Sequence, residues 1–285
     1  MTKVVLISSF LLMGFLAKAQ EFQGKAEYFS KMIYKNGIEE VGVKSDDDEN
    51  LKKAYEEALK NASEKAYTLT FTKTEALFEK NQSLEKPSSQ NNGVSVSIHI
   101  SGEGKKYLNT KERTRIVEDD ILGKEFLIVE KLQQFDWKLL NETKKIGDYT
   151  CYKAEVTIPV TEKEKKQYEE YLKKQESKPS FFTMDEPKEK KVTAWYTPDI
   201  PVNVGPLNYW GLPGLILEVS DGKTIILCSK LVINSKDKVE IKPASKGKVV
   251  TQKEYDEIVK KKMEEMREMN SGPGGQRGGG FRMSR

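Results

Sequence analysis

The chain has 285 residues, a formal net charge of +4, a mean hydropathy of −0.64, and charged residues over 32% of its length. Positive and negative side chains are mixed along it rather than segregated, which argues against a nucleic-acid footprint. A single histidine, His99, and two cysteines without Cys-x-x-Cys spacing exclude His-rich and paired-Cys zinc sites.

The N-terminal stretch reads as a secretory signal peptide. Lys3 supplies the positive region, Val4 to Leu16 is almost wholly apolar, and Ala17-Lys18-Ala19 places small residues for cleavage after Ala19. The apolar run is well short of the roughly 20 residues that span a bilayer, and no Cys follows it to carry a lipid anchor. The expectation is an exported, soluble chain that does not span the membrane, periplasmic or associated with an outer membrane.

Strand patterns then dominate. Phe22 to Tyr34 alternates loosely, whereas Tyr67, Leu69 and Phe71 alternate strictly with three threonines. Val94 to Ile100 repeats that pattern, and His99 falls on its polar side with Ser95 and Ser97. Lys105 to Glu118 and Glu125 to Glu130 follow, separated by the turn Leu122-Gly123. Next come Phe135 to Leu140, a polar connection, and Tyr149 to Val160. Val192 to Tyr196, Leu215 to Ser220 and Lys223 to Ile233 complete the series, the last two joined by the hairpin signal Asp221-Gly222.

Three helices are expected. Asp46 to Ala62 has an acidic first turn and apolar Leu51, Ala54, Tyr55, Ala58 and Leu59 at helical spacing. Thr161 to Ser177 and residues 251–269 each open on a capping box, Thr-Glu-Lys-Glu and Thr-Gln-Lys-Glu. Residues 81–93 and 174–190 read as loops. The Gly- and Arg-rich stretch 271–285 has too little apolar area to offset the entropy of ordering. Residues 20–270 are read as a single β-rich domain: a curved antiparallel sheet or half-open barrel with helices at its mouth or concave face.

No catalytic motif stands out. There is no Gly-x-Ser-x-Gly elbow to support a triad through His99, no Gly-x-Gly-x-x-Gly after a strand, and no phosphate-loop lysine. The acids Asp46 to Asp48, Glu118 to Asp120 and Asp185-Glu186 lie in charged stretches, where solvation keeps them from becoming general acids. The Asp46 run lacks the Gly and the terminal Glu of a calcium loop. We expect no metal, no cofactor and no catalytic residue.

The most informative segment is Ala194 to Val219, which carries four prolines, three glycines and several aromatics but no Lys, Arg or His. Pro198, Pro201 and Pro206 restrict its backbone, Gly205-Pro206 reads as a turn, and Gly211 and Gly214 flank Leu212-Pro213 in a second tight turn. A β-branched residue at Gly214 is expected to be excluded by backbone conformation. Trp195, Tyr196, Tyr209 and Trp210 either cap the core or form a rigid surface for a ligand or partner, with Asp199 and Asn203 as its polar members.

The string Gly211-Leu-Pro-Gly-Leu-Ile216 resembles the signature of the GLPGLI family, secreted proteins of Gram-negative bacteria with no assigned activity. A looser likeness runs from Gly147 through Tyr149 and Cys151 to Ile233. The resemblance implies an exported β-rich protein, often encoded beside outer-membrane receptor and transport proteins. Cys151, after Gly-Asp-Tyr-Thr, resembles a cysteine often seen in that family, whereas Cys228 is less typical. A Cys151–Cys228 disulfide between neighbouring strands and two buried free thiols both remain open.

Three functional readings follow. The first is a non-enzymatic binding or accessory protein of the cell envelope, partnered by an envelope protein such as an outer-membrane receptor. The second is a lipid or lipoprotein carrier, which requires a dry apolar pocket. The third is a carboxylate hydrolase, which requires two acids converging in a cleft.

Overall fold

The computed structural model describes residues 22–32, 64–81, 104–177, 185–235 and 240–271. The expected signal peptide, the helix over 46–62, the strand over 94–100 with His99, and the tail beyond 271 lie outside them.

The described residues are mainly strand, in one open sheet of twelve strands with two helices. In chain order the strands are β1 (Gln23–Met32), β2 (Lys65–Thr72), β3 (Glu75–Lys80), β4 (Lys106–Asn109), β5 (Thr114–Ile121) and β6 (Lys124–Lys131). Then come β7 (Lys138–Ile146), β8 (Tyr149–Ile158), helix α1 (Glu162–Ser177), β9 (Lys190–Thr197), β10 (Leu215–Ser220), β11 (Thr224–Ile233), β12 (Lys248–Val250) and helix α2 (Gln252–Ser271). The spatial order is β12-β6-β5-β4-β3-β2-β1-β11-β10-β9-β8-β7. Every neighbouring pair is antiparallel except β12 and β6, which run parallel.

Alternation along the strands decides which side chains are buried. On β1, Gly24, Ala26, Tyr28 and Ser30 are buried while Lys25, Phe29 and Lys31 are exposed. On β2, Tyr67, Leu69 and Phe71 enter the core as their spacing predicts. Ala26, Tyr28, Leu69, Phe78 and Leu108 from one half of the sheet join Ala154, Val156, Val192, Ala194 and Val219 from the other in one contiguous core, so the sheet curves around its apolar face. The fully buried Tyr28 donates its hydroxyl to the Ile216 carbonyl at 2.7 Å, which satisfies the polar end of a core residue.

Several expected elements are redrawn. The run 105–118 is two strands, because the Asn109 side chain accepts from the Glu112 N–H at 2.9 Å and turns the chain, with Arg113 at φ 54°. Glu75–Lys80 forms β3, a short strand whose Glu-rich sequence hides its buried Ala76 and Phe78. The expected strand Phe135 to Leu140 begins later, at Lys138, and absorbs the polar connection after it as β7. An end-of-sheet strand need not alternate, which is why Asn141 to Lys145 read as loop.

Both capping boxes form. Glu164 accepts from the Thr161 backbone N–H at 2.8 Å, and Glu254 from that of Thr251 at 2.7 Å. The apolar stripe of α2 covers β5, β6 and β12 through Val117, Phe126, Ile128, Val250 and Tyr255, with the Phe126 and Tyr255 rings 5.5 Å apart. Helix α1 is tied by ion pairs, Lys163–Asp256 at 2.6 Å to α2 and Lys190–Glu164 at 2.7 Å to β9.

Candidate functional site

The chain between β9 and β10 folds back on the strand it leads into. Leu215 donates its N–H to the Ile200 carbonyl at 3.0 Å, Ile216 to Val204 at 3.1 Å, and Gly211 to Asn203 at 2.9 Å. Ile200, Val202, Val204, Leu212, Leu215, Ile216 and Leu217 are all buried. The crossover is therefore part of the core.

Its glycines serve two different needs. A Cβ on Gly214 would lie 2.1 Å from the Thr197 carbonyl oxygen, and one on Gly205 would lie 2.6 Å from the Ile216 side chain. Gly214 is not in the left-handed region, so contact rather than backbone conformation excludes a side chain there. Gly211 has φ +95°, and a Cβ there would come no nearer than 4.0 Å to the Trp137 indole, so its requirement is conformational. The turn expected at Gly205-Pro206 bends at Leu207, φ 60°, with the Tyr209 N–H donating to the Pro206 carbonyl at 3.2 Å. Pro206 is buried, while Pro198, Pro201 and Pro213 lie outside the core.

The six expected surface residues do not form one patch. Tyr209 and Trp210 join Phe135 and Trp137, which belong to the expected strand Phe135 to Leu140 but lie ahead of β7. The ring centroids of Phe135–Tyr209, Phe135–Trp137 and Trp137–Tyr209 are 5.4, 5.8 and 6.2 Å apart. The Trp137 indole N–H donates to the Trp210 carbonyl at 2.9 Å, and the Trp210 indole N–H to the Gln133 carbonyl at 2.7 Å. All four rings are half-buried, and burial pushes the Tyr209 hydroxyl up to about 12. The aromatic pair at Phe135 and Trp137, just ahead of a polar strand, was the signal available in the sequence.

Trp195 and Tyr196, consecutive on β9, point to opposite faces. Trp195 lies beneath the Lys144 ammonium, 4.4 Å from its ring centroid, and Lys144 also pairs with Glu218 at 2.7 Å. Tyr196 is 6% exposed and packs near Tyr152, with ring centroids 6.1 Å apart. Asp199 is exposed beside the crossover, and Asn203 is half-buried and contributes its backbone carbonyl.

Cys151 and Cys228 are free thiols. They sit on β8 and β11, with β9 and β10 between them, so the bridge between neighbouring strands is not made. Three strand spacings of about 4.8 Å exceed the Cα separation of roughly 7 Å that a disulfide tolerates. Burial pushes both thiols up to about 11.

A recess of about 1130 Å³ opens on the outer side of β1 to β6, lined by Lys25, Glu27, Glu79, Lys105, Glu118 and Glu125 among others and bordered by Pro243 to Lys246. It is polar. Elsewhere, Lys190 and the Thr161 donors hold the Glu164 carboxyl down to about 2, Lys191 lowers Glu155, and the Thr251 donors lower Glu254. A general acid needs the opposite shift. Among the described residues no group of three His, Cys, Asp or Glu could hold a metal ion, and no helix is long and apolar enough to cross a membrane.

A family found in Bacteroidetes and described as "Protein of unknown function (Porph_ging)" matches residues 137–218, from Trp137 through the Gly211–Ile216 string. The matched span covers less than a third of the chain. A search of curated proteins finds no match. Two solved structures of PNGF-II, in C2 and P21 space groups, are similar with TM-scores of 0.47 and 0.46 at 12% and 11% identity. The alignments cover 84% and 85% of this chain, which spans about a third (33%) of the length of each of theirs.

Proposed function

We propose that the chain is an exported, non-enzymatic binding or accessory protein of the cell envelope, and that the Phe135–Trp137–Tyr209–Trp210 surface receives a protein partner such as an outer-membrane receptor or transport protein. The observation that supports this most is the pair of indole hydrogen bonds through Trp210, which fixes the Trp137 and Trp210 indoles beside the Phe135 and Tyr209 rings. Aromatic side chains bring large contact area with few rotatable bonds, and a surface already ordered loses little entropy on binding. The signal-like sequence through Ala19 and the resemblance to the secreted GLPGLI family support the address.

The other two readings have less behind them. A lipid carrier needs an apolar pocket, and the large recess of the described residues is lined by lysines and glutamates. A carboxylate hydrolase needs a carboxyl held protonated, and the carboxyls with displaced acidity are shifted the other way.

The test is affinity isolation of the tagged protein from the cell envelope after mild crosslinking, with mass spectrometry of captured proteins and lipids. Trp210→Ala, checked for a native-like melting transition, is expected to lose specific protein partners. Identical captured sets from both proteins would remove the aromatic surface from the account. Turnover of a small substrate by the purified chain would overturn the non-enzymatic reading.

A further inference from the structure

Strand β7 ends the sheet: β8 pairs with it on one side and, among the described residues, nothing pairs with it on the other. Its last residue, Ile146, pairs with Tyr149 across the two-residue turn Gly147-Asp148, Gly147 having φ 58°. A pair flanking such a turn exchanges both of its backbone hydrogen bonds, and the pairs alternate from there. The N–H and C=O groups of Thr143 and Lys145 therefore point away from β8. An edge of this kind is a template for another strand.

Its charge is selective. Glu142 is held by Lys153 at 3.0 Å, and Lys144 by Glu218 at 2.7 Å. Among the described residues Lys138 and Lys145 have no carboxylate partner, so the uncompensated charge of β7 there is wholly positive. The register also places Leu139, Thr143 and Lys145 on the same face as Tyr152. Leu139 is 55% exposed and Tyr152 38%, so that face offers apolar contact beside a free cation. The strand starts directly after Trp137, which makes the edge continuous with the aromatic surface.

We infer that the β7 edge receives an extended, acidic polypeptide segment of a partner protein, which adds a strand to the sheet. A second copy of this chain is the poorer occupant, because its own β7 would bring lysines against lysines. The bulge between Leu139 and Thr143 splits the β7–β8 ladder into Lys138–Leu139 and Thr143–Ile146, so the longest regular run of edge is four residues and a short segment suffices. The inference rests on reading the chain as a binding protein, and it names the chemistry of the partner.

The test uses two fluorescein-labelled peptides, Thr-Val-Glu-Val-Glu-Val-Thr and its lysine counterpart, titrated against the purified chain by anisotropy at low salt. The acidic peptide is expected to bind about tenfold or more tightly than the basic one, as fixed opposite charges at an edge imply. Thr143→Pro deletes an outward N–H without touching the β7–β8 ladder, and is expected to weaken binding roughly five- to tenfold, the worth of about one hydrogen bond. Lys145→Glu leaves the backbone intact and brings the uncompensated charge of the strand to zero, so it is expected to abolish the preference between the peptides, which keeps the test readable if the proline variant unfolds. Absence of binding by the acidic peptide, equal binding of both peptides, or an unchanged preference in Lys145→Glu would overturn the inference. So would a dimer that Thr143→Pro converts to monomer. Partner loss in Trp210→Ala without peptide binding would overturn the edge alone; neither effect would overturn the binding reading as well.

Discussion

Trp137 and Trp210, 73 residues apart in the chain, are joined by an indole N–H···O=C bond of 2.9 Å. Together with the Trp210–Gln133 bond of 2.7 Å, it fastens the β9–β10 crossover to the entry of β7. Trp137→Phe keeps an aromatic ring and removes the donor. The expected loss is about 1–2 kcal/mol, the usual worth of a partly buried hydrogen bond, or a fall in Tm of several degrees (about 2–4 °C per kcal/mol). Scanning calorimetry reads it directly, and an unchanged Tm would show that the bond contributes nothing.

The glycines of the crossover should separate by mechanism. Gly214→Ala places a carbon 2.1 Å from the Thr197 carbonyl oxygen, and because that oxygen belongs to backbone the strands must part. The expected loss is about 3 kcal/mol or more, at the upper end of overpacking penalties. Gly211→Ala would only touch the Trp137 indole at an ordinary 4.0 Å and has its positive φ to contend with, for about 1–2 kcal/mol. Denaturant midpoints of the two variants should fall in that order. The reverse order would contradict the turn geometry.

Acid should loosen α1. The folded-state acidity of Glu164, about 2, lies below the ordinary carboxylate value, chiefly because of Lys190 and then the Thr161 donors. Stabilisation from a depressed carboxyl is complete above the unfolded pKa of about 4.3 and is lost as pH falls through the folded value. Wild type is therefore expected to lose more stability than Glu164→Gln between about pH 5 and about pH 2, the window of that titration. Parallel urea titrations would decide it, and equal losses would mean that the capping carboxylate is not coupled to folding.

Both thiols should be slow to react. With burial holding Cys151 and Cys228 at about 11, almost no thiolate exists at neutral pH. Iodoacetamide at mildly alkaline pH should label the native chain slowly, and both cysteines completely after denaturation without reductant. A chain that takes up no label until it is reduced would establish a disulfide and refute the strand order between β8 and β11.

What the sequence reveals, and what it withholds, divides along physical lines. Local signals were legible: the strict alternation of Tyr67, Leu69 and Phe71, the Asp221-Gly222 turn, and the two capping boxes all stand where their chemistry put them. The Asp221 carboxylate accepts from the Thr224 N–H at 2.7 Å, the local bond that makes such a turn readable. Two strands were not legible, because β7 is largely exposed with no regular apolar alternation, and β3 has only Ala76 and Phe78 to bury among charged residues. In the candidate site, the proline- and glycine-rich crossover was visible at once. Its partners Gln133, Phe135 and Trp137 were not, because only tertiary contact brings them to Trp210. At Gly214 the constraint is a steric clash with the Thr197 carbonyl rather than backbone conformation, and such a clash leaves no trace in the local sequence.

The central claim is that the crossover between β9 and β10 is a rigid part of the sheet and presents its aromatic residues already in place. Hydrogen exchange of the native chain, resolved to single amides by NMR, tests this most directly. The N–H groups of Gly211, Leu215 and Ile216, which donate within the crossover, should exchange as slowly as those of the β8–β9 ladder. Exchange of these three at the rate of free peptide, while β8 and β9 stay protected, would contradict the claim.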